Sequence, residues 1–118
     1  MATVALIMKR PGNIRVMHQT LGKIGLSGMG VSSEAEFLRL LEGASPLPCL
    51  ALIDVSDFGP RAWQMCKALR NRNVPFIVMS APRELEIGRR SLAYGAASVL
   101  QKPVAKSTLL QLIRSLAQ

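Results

Sequence analysis

The chain has 118 residues, 49% of them apolar, which suits one domain over 1–118 with a sizeable core. Fifteen Lys and Arg against 7 Asp and Glu give a formal charge of +8, favouring an acidic partner such as nucleic acid, an acidic protein face or a lipid surface. No apolar run is long enough to span a membrane, no basic-then-apolar leader opens the chain, and one histidine with two cysteines gives no zinc-ligand spacing; Cys49 and Cys66, in apolar patterns, suit buried, reduced thiols in the cytoplasm.

Thr3 to Ile7 predicts a first strand. A helix follows over about 12–24, with Ile14, Met17, Leu21 and Ile24 at helical spacing and Gly25 as its left-handed stop. Gly28 to Val31 reads as a second strand, diluted by two glycines. "SSEAEFLRLLEG" is a helix capped by Ser33, with Glu36 completing a capping box, a Phe37, Leu40 and Leu41 stripe, and Gly43 at its end. After a turn at "SPLP", Cys49 to Ile53 is apolar on both faces and ends at Asp54, as a strand inside a covered parallel sheet should. "GPRAWQMCKALRNRN" predicts a third helix and "VPFIVMS" a buried fourth strand ending at Ser80. "PRELEIGRRSLAYG" places acids early, bases late and Gly95 last, in accord with a helix dipole. Ser98 to Leu100 is a short fifth strand, and a final helix runs over about 105–117 with Leu109, Leu112, Ile113 and Leu116 on one face.

Five strands alternating with five helices predict a doubly wound α/β fold with helices on both faces. Its site lies beyond the carboxyl ends of the strands, where Met8, Lys9, Asp54, Ser80 and Lys102 fall. An aspartate beside a lysine can hold a metal, take a phosphoryl group or form a salt bridge. Met8 also reads as packing, Ser80 as a helix-start residue and Asp57 as the opening of helix three.

As a set, "ALID", "VMSA" and "YGAASVLQKP" at these separations resemble the receiver domain of two-component response regulators, over essentially the whole chain. The resemblance implies a flavodoxin-like, CheY-like fold, with strand order 2-1-3-4-5. It implies that Asp54 stands at the phosphoacceptor position, Ser80 at the hydroxyl position, and Lys102 before a cis proline, Pro103. It also implies an acidic, Mg²⁺-holding pair after strand one, where this chain has Met8 and Lys9. No carboxylate precedes Glu34. The aromatic switch position is occupied by Val99, and Ala62 replaces a family glycine, although Gly59 lies nearby.

Phosphoryl transfer to a carboxylate needs a cation to neutralise anionic oxygens, and Mg²⁺ prefers oxygen ligands. A lysine ammonium about 4 Å from a dication repels it by about 8 kcal/mol at an effective dielectric of about 20. The expectation is therefore that Lys9 takes the metal's place, pairs with Asp54 together with Lys102, and leaves no cofactor requirement, no enzymatic activity and no phosphate switch. Such a pseudo-receiver would act as a protein-interaction module in signal transduction, meeting a sensor kinase, a regulator or a second copy. In the family the usual face is helix four, strand five and helix five, which here carries Ile87, Arg89, Arg90, Tyr94, Val99, Lys106, Leu110 and Arg114. The alternatives are a phosphorelay receiver that is phosphorylated on Asp54, or a nucleic-acid-binding part of a transcription or antitermination regulator. Charge supports the latter, but Phe37, Phe58, Phe76, Trp63 and Tyr94 mostly fall in core patterns and offer no stacking platform.

Overall fold

Five strands form one parallel sheet in the order 2-1-3-4-5: β1 (Thr3–Ile7), β2 (Ser27–Val31), β3 (Leu50–Asp54), β4 (Phe76–Ser80) and β5 (Ser98–Gln101). This is a computed structural model that describes residues 3–43, 46–82 and 85–117. Ser45, in the turn before β3, and Arg83 and Glu84, expected in the first turn of the fourth helix, lie outside the described residues. The helices are α1 (Pro11–Gly22), α2 (Glu34–Glu42), α3 (Ala62–Asn71), α4 (Leu85–Ala93) and α5 (Lys106–Leu116). Among the described residues no helix is long and apolar enough to cross a membrane.

Strand alternation divides the core into two layers. Val4, Leu6, Leu50, Leu52, Ile77 and Met79 pack with Leu21 of α1 and Leu109 and Ile113 of α5. Ala5, Ile7, Ala51, Ile53, Phe76 and Val78 pack with Phe37 and Leu41 of α2 and with Met65, Cys66 and Leu69 of α3. The three central strands, β1, β3 and β4, are buried on both faces, as their continuous apolar runs require.

Glycines explain why the weak-looking second strand forms. A Cβ on Gly28 would lie 2.8 Å from Leu6 Cδ1 and 2.9 Å from His18 Nδ1, and one on Gly30 would lie 3.2 Å from Ile14 Cγ2. Bare backbone there lets α1 pack directly across the strand, and this close approach outweighs the low strand propensity.

Helix ends differ from the sequence reading for local reasons. α1 stops at Gly22 rather than Ile24, because Ile24 N–H turns to Leu21 O (3.0 Å) and Leu26 N–H reaches back to the same carbonyl (3.1 Å) around Gly25 at φ 75. The third helix, expected over 59–73, opens as a 3₁₀ turn at Gly59–Arg61 before α3, and a separate single helical turn at Val55–Phe58 precedes it. Asn73, in the left-handed region at φ 58, then stops α3 while Val74 N–H bonds to Leu69 O at 2.9 Å. The α2 cap is as expected, with the Ser33 hydroxyl accepting Glu36 N–H at 3.1 Å, while the Glu36 carboxylate takes the Ser32 hydroxyl at 2.9 Å. Cys66 is buried, but Cys49 is only half-buried and its thiol donates to Thr3 O at 3.4 Å.

Gly28→Ala should lower stability by about 1–3 kcal/mol through overpacking. Gly22→Ala, with nothing within 4 Å of the added carbon, should raise it by about 0.5 kcal/mol. Urea denaturation of the two variants checks both signs. Burial pushes the Cys66 thiol up to about 12 from 9.0, so the folded chain holds that proton more tightly than the unfolded chain. This contribution is fully present below pH 9.0 and fades as pH rises toward 12. In thermal melts across that window, the wild-type advantage over Cys66→Ala should shrink as pH rises.

Candidate functional site: the carboxyl ends of the strands

Register and alternation decide what meets at the top of the sheet. Ile7 stands opposite Ile53, Asp54 opposite Met79, and Met79 opposite Leu100. One step beyond Ile7, Met8 therefore falls on the same side as Asp54, facing α1 and α5. Two steps beyond Leu100, Lys102 returns to that side. A cavity of about 220 Å³ opens there, lined by Met8, Met17 and Met79 together with Asp54, Lys102 and Val104. Met8 is 1% exposed and Asp54 is 3% exposed.

Both carboxylate oxygens of Asp54 accept hydrogen bonds. Lys102 Nζ lies 3.0 Å from each of its carboxylate oxygens. Oδ1 also accepts Ser56 N–H at 3.1 Å, which caps the helical turn that follows β3. The aspartate side chain is 4% exposed and the lysine 33%, so a partly exposed lysine meets a buried carboxylate in the cavity wall. The lysine is held in turn by its backbone, since Lys102 N–H donates to Ser80 O at 2.8 Å, and the Lys102–Pro103 bond is cis.

Lys9 does not join Asp54, contrary to the sequence expectation. It is one residue past Met8, so alternation turns it to the opposite side of the sheet, where it is exposed. Its ammonium lies 5.1 Å from the centroid of the Phe58 ring, a cation–π contact. Its backbone N–H donates to Asp57 Oδ2 at 2.9 Å. Asp57 thus ties the loop after β1 to the turn after β3, a role the sequence reading missed. Its signal was a carboxylate in a loop-side first turn, where short acidic side chains take free backbone N–H groups.

Ser80 is buried at the end of β4, whose inner partners Phe76 and Val78 belong to the α2–α3 layer. Val99, at the switch-aromatic position, is half-buried, and a Cβ on Gly88 of α4 would lie 3.3 Å from its Cγ1. The expected interface set separates. Arg114 is exposed and Leu110 half-buried on α5, Lys106 opens that helix exposed, and Ile87 packs partly against the core. Arg89 is exposed and lies 3.6 Å from Glu86. Arg90 and Tyr94 stack with Trp63, so they face α3 rather than β5.

No protein-family model matches this chain, and no curated protein does. Solved structures do. A response regulator receiver protein from Burkholderia phymatum is 22% identical with a TM-score of 0.88, over 99% of this chain and 95% of that one. A CheY-like receiver domain protein from Methanospirillum hungatei is 21% identical at 0.86, over 99% and 94%. The receiver domain of a Pseudomonas aeruginosa sensor histidine kinase, solved with a magnesium ion coordinated in its active site cleft, is 19% identical at 0.82, over 98% and 97%. With its sheet order, its helices on both faces and these neighbours, the chain has the fold of the CheY-like response regulator receiver domains.

Proposed function

We propose that this chain is a pseudo-receiver: a phosphorylation-independent protein-interaction module of two-component signalling, with no enzymatic activity of its own. The observation that carries the reading is the closed Lys102–Asp54 pair beside a buried Met8. A receiver switch needs a dication next to its aspartate. In this chain the strand-one end offers a thioether, a poor ligand for Mg²⁺, and then a cation. Among the described residues no group of three or more His, Cys, Asp or Glu could hold a metal ion. The donor set does not suit magnesium, and both oxygens of the would-be nucleophile are engaged. The domain's partner is then another protein, a sensor kinase or a regulator, met in the cytoplasm and in one conformation of the crevice.

The competing reading is a phosphorelay receiver that is phosphorylated on Asp54. It has one observation in its favour: Lys102, poised on the carboxylate, would also meet a phosphoryl anion. Calorimetric titration with Mg²⁺ and beryllofluoride separates the two. The pseudo-receiver should show no saturable heat and no acyl phosphate by mass after treatment with a small phosphodonor. Stoichiometric binding that Asp54→Asn abolishes would establish the phosphorelay reading instead.

The pair should also be structural. Lys102→Ala leaves a buried carboxylate without its counter-charge and should cost about 1–3 kcal/mol, below the fully buried range because the lysine is partly exposed. Asp54→Asn should cost less, and the double variant less than the sum. A double-mutant cycle by urea denaturation measures that coupling.

A further inference from the structure

A second constellation lies away from the strand ends, where α3 and α4 meet. Trp63, in the first turn of α3, and Tyr94, just past α4, stack with ring centroids 5.3 Å apart and planes at 25°. The Arg90 guanidinium lies over both, 5.0 Å from the Trp63 centroid and 5.9 Å from that of Tyr94. The strip continues through Gly95, at φ 103, where an added Cβ would lie 3.0 Å from Arg70 Cδ. That glycine lets the Arg70 stem lie across from α3 to the end of α4. Exposed Lys67 stands between Trp63 and Arg70 at helical spacing. A groove of about 450 Å³ opens there, lined by Trp63, Glu86, Ile87, Arg89 and Arg90, two cations against one acid.

We infer that this α3–α4 surface docks an acidic segment of a partner protein, with Arg90 as its carboxylate-binding fork. Charge argues for the occupant. Among the described residues Lys67, Arg70, Arg89 and Arg90 bring four positive charges to these two helices, and the one ion pair there, Arg89 with Glu86 at 3.6 Å, is between two largely exposed side chains. An arginine already held over two rings loses little rotamer freedom when its planar donors meet a carboxylate. Trp, Tyr and Arg are also the side chains that carry most binding energy in protein interfaces. Single-stranded nucleic acid fits less well, because base stacking needs free ring faces and these rings are engaged with each other and with Arg90. The inference is independent of the state of Asp54, since a chain phosphorylated there would carry the same surface.

Trp63 is the chain's one tryptophan, so its fluorescence reports directly on this surface. The probe is a short peptide of glutamates and leucines, titrated at moderate salt, with an oligouridylate of matched length in parallel. The peptide should change Trp63 emission saturably. Arg90→Ala should weaken binding about tenfold, the loss of one bidentate charge-assisted contact. Arg90→Lys, which keeps the charge without the fork, should also weaken it, and Arg114→Ala on α5, removing an equal charge elsewhere, should change it less than about twofold. The proposal fails if the peptide gives no saturable change, if Arg90→Ala and Arg114→Ala weaken it equally, or if oligouridylate binds the same surface more tightly than the peptide.

Discussion

In a parallel sheet covered on both faces, every strand residue must point into one helical layer or the other, and neighbouring strands keep the same register. Ile7 opposite Ile53, Asp54 opposite Met79 and Met79 opposite Leu100 therefore sort the side chains at the carboxyl ends before any specific contact forms. Met8, Asp54 and Lys102 fall on the α1–α5 side, and Lys9 falls on the other. A carboxylate carried into that layer is 3% exposed. It is tolerable there because Lys102 reaches it across β4 and balances its charge.

The same sorting gives the crevice its chemistry. Its walls are mostly thioether and aliphatic with the Asn13 carboxamide among them, its one charge pair is internally balanced, and its volume is about 220 Å³. Two further ties join the strand ends: Lys102 N–H to Ser80 O, and Lys9 N–H to Asp57. Together with the ion pair they link the ends of β1, β3, β4 and β5.

If the strand ends are closed, recognition has to use the helical surfaces, and these are unequal. On α4, Gly88 lies against Val99 while Arg90 and Tyr94 turn to Trp63. Helix rotation thus divides one short segment of sequence between an inner seam and an outward strip of arginine and aromatic rings. Among the described residues, Arg90 is a guanidinium held in place over two such rings.

The sequence by itself determined the alternation of buried strands and covering helices, and the receiver resemblance implied the strand order. Apolar runs such as Leu50 to Ile53 can be satisfied only between two helical layers, and Ser33 and Gly25 mark helix ends through purely local hydrogen bonds and φ preferences. It also showed that Asp54 ends a strand, that Lys102 follows one, and that no acid precedes Glu34. Period-two alternation, already present in the sequence, would have turned Lys9 away from Asp54, had it been carried one residue past the strand. Only the tertiary structure decided that Asp57 takes the Lys9 amide, that glycines in β2 admit α1, and that Trp63 meets Tyr94 and Arg90. Each of these joins residues distant in sequence through helix rotation and packing distance, and no local propensity encodes either quantity.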